Sequence, residues 1–339
     1  MSVPTLKKIN KKLLPKNYMF TPEWIVLGVN NICNLYCKMC DVATKNLDSN
    51  FAQNLVGTHS INTPLVLIKK FIDQTTLYYP KAKLGFAFAE PLVYPYLIES
   101  VKYAKQKELK VAITTNALTL KQKSSDLAAL NIHDLHVSLD GPQDIHNEIR
   151  GHKKSFQKAI EGIQLINEKN PKIKITIITA ITEWNIGHLQ ELLTALKKVS
   201  IKEVGFMHTQ FITTKSTQLH DLTPWGIAYP AASNSNMDLI HLENIDTTKL
   251  CNEIASTKEK DYPFNIFFST NISSINELDV YYKEPEKIIG KQCNSVHRSI
   301  MVKSDGSVIP AHGRCYNLEL ESLYKDNLKQ VWNGQILKN

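Results

Sequence analysis

Three thiols, Cys33, Cys37 and Cys40, stand within eight positions of one another in the stretch NNICNLYCKMCDVA over 30–43. A disulfide uses two cysteines and a structural zinc site uses four ligands, so a set of three that leaves a place empty calls for other chemistry. In a loop, the spacing Cys-x3-Cys-x2-Cys lets three thiolates meet one face of a cubane [4Fe–4S] cluster and leaves its fourth iron open. An open position is what a catalytic metal keeps and a structural metal closes. Zinc held by the triplet and a distant fourth ligand is the alternative that the triplet alone leaves standing.

The elements that must position this loop show as an alternation. The runs WIVLGVNNI (24–32), KLGFAFA (83–89), KVAITT (110–115), DLHVSL (134–139), KIKITIITAI (172–181) and EVGFMHTQF (203–211) predict strands. Between them lie helical faces, one of Phe156, Ala159, Ile160, Ile163 and Ile166, the other of Leu189, Leu192, Leu193, Leu196 and Val199. Strands followed by crossovers of helical length mean parallel β/α units, and runs apolar on both faces mean strands covered on both sides. The fold class is α/β, as an open (β/α)6 barrel or a doubly wound sheet, with ligands at the C-terminal ends of the strands. FNIFFST (264–270) is expected to return to the core as a further strand.

The chain of 339 residues is 43% hydrophobic and 21% charged, the make-up of an ordinary globular protein. Its net charge of +8 comes from scattered lysines, which argues against a nucleic-acid partner and mildly favours an anionic small-molecule substrate. The one concentrated basic run, LKKINKKLLPK (6–16), reads as a solvated arm. Six cysteines at irregular spacing are no secreted disulfide scaffold. With no apolar run near the roughly 18 residues of a membrane span and no signal-peptide core, the expected compartment is the cytoplasm.

The cysteine spacing, with the motifs at later strand ends, resembles the radical S-adenosylmethionine (radical SAM) superfamily. That resemblance implies a partial (β/α)6 TIM-like barrel with a small, mostly irregular C-terminal extension. It also implies a [4Fe–4S] cluster on Cys33, Cys37 and Cys40, with SAM chelating the open iron. One electron, from a donor such as flavodoxin or ferredoxin, then cleaves SAM to methionine and a 5′-deoxyadenosyl radical that takes hydrogen from substrate. Met39, in the cysteine loop, is expected at the cofactor.

Within FAFAEPLVYP (86–95), Phe88-Ala89-Glu90 stands where the family keeps Gly-Gly-Glu against the SAM amino group. Glu90 is expected to accept from that ammonium and Ala89 to allow close backbone approach, while Phe88 is a departure. Asn116 in ITTNA (113–117) matches a polar position near SAM. In HVSLDGPQDIHNEIRG (136–151), Ser138 resembles a ribose or carboxylate contact and Arg150 the cation that pairs with the SAM carboxylate. Asp140 reads first as fixing a turn with Gly141-Pro142. Asn185 resembles a residue near the adenosine, with a helix start as the competing reading.

The domain reading is an arm at 1–23, the radical SAM core at 24–212, a connecting segment completing the barrel at 213–287 and an extension at 288–339. The extension resembles SPASM or Twitch modules, with Cys293 and Gly306 in register but Ala311 in the place of the second cysteine. Cys293 and Cys315, with His312 or Cys251, could hold an auxiliary metal. Cys315 could instead be a hydrogen donor, or the module could be metal-free, the reading preferred here. His208 in the sixth strand and His312 are candidate acids or bases. Acting on a small molecule in natural-product, sugar or nucleoside biosynthesis is the leading function. A maturase of a ribosomal peptide and a non-catalytic metal-binding scaffold are the alternatives.

Overall fold

A computed structural model of the chain describes residues 3–13, 20–44, 49, 61–230, 240–287, 289, 298–309 and 322–334. Its sheet begins with seven parallel strands: β1 (Trp24–Leu27), β2 (Lys83–Phe86), β3 (Lys110–Thr115), β4 (Asp134–Ser138), β5 (Lys174–Ile181), β6 (Glu203–His208) and β7 (Asn265–Ser269). Each pairs with the next in chain order, the pattern left by repeated right-handed crossovers. The expected strands are therefore present, and 264–270 does return to the sheet.

Twelve α-helices lie among the described residues: α1 (Val3–Leu13), α2 (Leu65–Tyr78), α3 (Leu97–Gln106), α4 (Leu120–Ala129), α5 (Gln143–Ile149), α6 (Ser155–Lys169), α7 (Leu189–Leu196), α8 (Thr214–Asp221), α9 (Pro224–Ala228), α10 (Thr247–Glu259), α11 (Ile275–Lys283) and α12 (Leu328–Asn333). The faces read from sequence are those that pack. Ala159, Ile163 and Ile166 of α6 and all four leucines of α7 are buried. Each of these isoleucines and leucines contributes about 1.5–3 kcal/mol by leaving water. Two backbone N–H groups at the start of α7, on Gly187 and Leu189, donate to the Glu253 carboxylate of α10 at 2.7 and 2.9 Å. An anion from a distant helix thus caps this one.

Two short strands extend the sheet beyond the expected set. β8 (Ser299–Val302) pairs in parallel with β1 on the side away from β2, and β9 (Val308–Ile309) pairs antiparallel with β8. The order is β7-β6-β5-β4-β3-β2-β1-β8-β9, an open sheet among the described residues. The described part of the C-terminal extension thereby continues the core sheet. It also docks α12 on α2, where Leu328 N donates to Gln74 Oε1 at 2.8 Å and Val331 and Trp332 are buried. No described helix is long and apolar enough to cross a membrane.

Candidate cofactor site

The chain leaves β1 and enters the cysteine loop, whose backbone is pinned from two sides. Glu90 N, after β2, donates to Ile32 O at 3.1 Å, and Lys38 N donates to Ile149 O at the end of α5 at 2.9 Å. Gly151, at φ +64°, completes the support: a Cβ there would lie 2.9 Å from Tyr36 O, so the loop rests on a position only glycine fills. Thiol placement is thus set by β2 and α5 as well as by the loop itself.

Cys33, Cys37, Met39 and Cys40 line one cavity of about 230 Å³. Opposite them stand residues from successive strand ends: Ala89 after β2, Asn116 after β3, Ser138 on β4 and Arg150 after α5. Eight of the predicted site residues therefore meet in one place. A larger hollow of about 600 Å³ runs along β7 past Lys258, Tyr262 and Phe267. It holds none of the predicted residues, so the smaller cavity is the candidate.

The three thiols are free, with Cys37 buried and the other two half-buried. Burial raises Cys33 and pushes Cys37 up to about 12, with Arg150 opposing both shifts. Such thiols give up their protons to a metal rather than to water. No fourth Cys, and no His, Asp or Glu, is among the residues described as lining the cavity. Among the described residues no three such side chains converge on a single metal ion. Thiolates on a cubane bind separate irons and need not converge on one point. The donor set therefore fits a cluster with an open iron.

Glu90, expected from the resemblance to accept from the SAM ammonium, is held by donors of the protein itself. It is fully buried and does not line the cavity. Leu92 N (2.9 Å) and Thr115 Oγ1 (2.6 Å) donate to its Oε1, and Asn116 N (2.7 Å) donates to its Oε2. A buried carboxylate meets backbone donors here and locks the end of β2 to the end of β3. Asn116, so held, donates from Nδ2 to Asn34 Oδ1 at 2.8 Å and approaches Cys33 Sγ at 3.8 Å.

Phe88 keeps a glycine-like backbone, with φ +80°. Its ring lies over Gly28, whose missing Cβ would stand 2.3 Å from Phe88 Cδ2, and it packs with Val26, Met301 and Ile309. The departure from Gly-Gly-Glu therefore preserves the local chain path and adds an aromatic wall resting on β8 and β9.

Asp140, read from sequence as a turn former, makes an ion pair. Its Oδ2 accepts from Arg150 Nε at 2.5 Å and its Oδ1 from Ala180 N at 3.0 Å. Asn185 is fully buried and outside the cavity lining. Its Nδ2 donates to Asp140 O and Ala180 O, both at 2.7 Å, tying β4 to β5. Sequence reasoning passed over His146, whose Nδ1 accepts from Asp140 N at 3.0 Å. Its position four residues before Arg150, one helical turn, was the available signal.

His208 is not brought to the cavity. It is buried between Tyr281 and Tyr282, with Nδ1 2.8 Å from Tyr282 Oη. Cys251 lies on α10, with Sγ 3.3 Å from Ser273 O. Cys293, Ala311, His312 and Cys315 lie outside the described residues.

The site joins a parallel α/β sheet to three loop thiols at the first strand end, and comparison with known proteins identifies the class. The family model for the Radical SAM superfamily matches residues 28–196. The chain belongs to the radical SAM superfamily. It is similar to Fe-coproporphyrin III synthase of Methanosarcina barkeri, 23% identical over 198 residues, which are 58% of this chain and 46% of that protein. A serine-type anaerobic sulfatase-maturating enzyme of Bacteroides thetaiotaomicron is 24% identical over 194 residues, 54% of this chain and 45% of that one. The chain thus spans about half the length of the curated relatives it matches. Streptococcus suis SuiB, solved with S-adenosylmethionine bound, shares the fold at a TM-score of 0.67 and 16% identity, over 99% of this chain and 71% of that one.

Proposed function

We propose that the protein is an enzyme that uses a [4Fe–4S] cluster and SAM to abstract hydrogen from a small-molecule substrate. The observation that carries this reading is the single cavity where three free thiols face Asn116, Ser138 and Arg150, with no fourth protein ligand among its described lining residues. Cys33, Cys37 and Cys40 would hold the cluster, and the cluster with SAM supplies a 5′-deoxyadenosyl radical once an electron arrives.

The chain's own residues bind and orient. Arg150 has five N–H donors, of which Nε and one on Nη1 go to Asp140 and Cys37, leaving others for the carboxylate of SAM. Ser138 and Asn116 offer polar atoms at neighbouring strand ends. Ala89, small and beside Phe88, permits close approach of a ligand to the backbone. Glu90 and Asn185 act from behind, holding Asn116 and Asp140 in place. Phe88 walls the cavity on the side where Met301 of β8 and Ile309 of β9 pack against it, and the extension from 288 is read as a metal-free module of SPASM or Twitch type. A wall of that kind helps exclude water from a reactive radical.

Relatives include one named for an iron porphyrin synthesis and one named for sulfatase maturation, so a peptide substrate is the competing reading. Anaerobic reconstitution tests the core of the proposal. Expected are about four irons per chain and 5′-deoxyadenosine release when SAM and a reductant are added. Stoichiometric zinc with no SAM cleavage would overturn it.

A further inference from the structure

Arg150, read from sequence as a partner for a carboxylate, has a neighbour that sequence does not reveal. Its Nη1 donates to Cys37 Sγ at 3.5 Å while its Nε donates to Asp140 Oδ2 at 2.5 Å. The ion pair is enclosed, with side-chain exposure of 12% for Arg150 and 0% for Asp140. A guanidinium stays charged at any pH a protein survives, so a fixed cation points at one of the three cluster thiols.

That aim is held by several groups. Ala180 N occupies Asp140 Oδ1, Asn185 Nδ2 donates to Asp140 O, and His146 Nδ1 accepts from Asp140 N. Because Nδ1 accepts, the His146 proton sits on Nε2, and the ring is neutral. Its burial against Phe156 and the nearby Arg150 push its pKa down to about 3. Arg150 is therefore the charged group that this network presents to Cys37. Arg150 N in turn donates to His146 O at 2.9 Å, so backbone and ring both tie α5 to the ion pair.

We propose that Arg150 tunes the reduction potential of the cluster through Cys37, with Asp140 and His146 as the positioning residues that aim it. The proposal rests on the cluster reading above. Reduction transfers one electron from a low-potential donor to the cluster and changes no bond, so the cluster gains one negative charge. A cation beside a ligand sulfur stabilises the reduced form more than the oxidised one, and an N–H···S bond draws charge in the same sense. Both raise the potential, and a dry surrounding enlarges the effect. Asp140 offsets part of the positive charge.

The experiment is a potentiometric titration with dithionite, followed by electron paramagnetic resonance, on the anaerobically reconstituted full chain. It is run without SAM and without substrate, so turnover does not enter. Iron and sulfide are counted for each variant. Arg150→Gln is expected to move the midpoint to more negative potential at wild-type iron content. Asp140→Asn, which keeps the guanidinium and removes its counter-charge, is expected to move it to more positive potential.

His146→Gln is expected to shift the midpoint in the same sense as Arg150→Gln but by less, and to add nothing in the Arg150→Gln background. Wild-type midpoints in both Arg150→Gln and Asp140→Asn would overturn the proposal. Should Arg150→Gln fail to assemble a cluster, an unmoved or lowered midpoint in Asp140→Asn overturns it alone. Failure of the wild-type chain to assemble a cluster would overturn the proposed function instead, which keeps the two outcomes apart.

Discussion

Asn116 hangs from Glu90: its backbone N–H donates to Glu90 Oε2 at 2.7 Å, and both residues sit at the C-terminal ends of adjacent strands. The other carboxylate oxygen takes Leu92 N and Thr115 Oγ1, so all three partners are donors. Glu90→Gln converts one oxygen into an amide NH2 that must face a donor. Leaving such buried groups unpaired costs about 1–3 kcal/mol. A drop of several degrees in Tm is expected by calorimetry of the metal-free protein, with weaker SAM binding by the reconstituted one. An unchanged Tm would show that Glu90 does not lock these strands.

Phe88 sets aromatic packing against backbone strain. At φ +80° a side chain with a Cβ costs about 1–2 kcal/mol that glycine does not. Phe88→Ala keeps the strain and loses the ring's contacts with Met301 and Ile309. Phe88→Gly loses the ring and the strain together. The smaller variant should therefore be the more stable of the two, by about 1 kcal/mol in chemical denaturation. Gly28→Ala places its Cβ 2.3 Å from Phe88 Cδ2, and its destabilisation should largely vanish in the Phe88→Gly background. Additive effects in that cycle would refute the ring-on-glycine contact.

The strands β1 to β7 were legible because a parallel strand covered on both faces is apolar almost without interruption, as KITIITAI of β5 shows. β8 and β9 were not. Four residues and two residues carry too little pattern, and β8 exists because Ile300 and Val302 pair beside Ile25 and Leu27. The thiols stood out by their spacing, whereas Asn116, Ser138 and Arg150 stood out through the resemblance of their strand-end motifs to the radical SAM superfamily, and all of them line one cavity. The protein partners of Glu90 were hidden because they include backbone N–H groups, which no sequence displays. The ion pair of Asp140 was hidden for a similar reason: an Asp-Gly-Pro run signals a turn, while the pair depends on α5 folding back toward the loop.

His208 supplies a pH dependence. Burial pushes its pKa from the ordinary 6.5 down to about 4, so the unfolded chain binds its proton first as pH falls. The stability it contributes is complete above 6.5 and is lost as pH falls toward 4, by up to about 3 kcal/mol. Glu90 works in the opposite sense, since burial raises its carboxyl and its ionisation costs stability as pH rises above 4.5. Denaturation curves from pH 7 to 4 should be flatter for His208→Gln than for the parent chain. Parallel curves would show that His208 does not resist protonation.

Cys37 separates holding a cluster from holding the fold. It is 5% exposed and touches Leu35 and Leu118 in a small apolar group apart from the main core. Cys37→Ala removes one sulfur from that group, a loss of about 1 kcal/mol, so circular dichroism and Tm should stay near the parent values. Iron should not. With one of three ligands gone, reconstitution is expected to yield little or no cluster, and Cys33→Ala and Cys40→Ala should behave alike. Cys251→Ala, on α10 and outside the cavity lining, should retain about four irons per chain. Full iron loading of Cys37→Ala, or equal loss in Cys251→Ala, would mean that the metal sits elsewhere. The four variants together decide whether the loop after β1 holds the cluster.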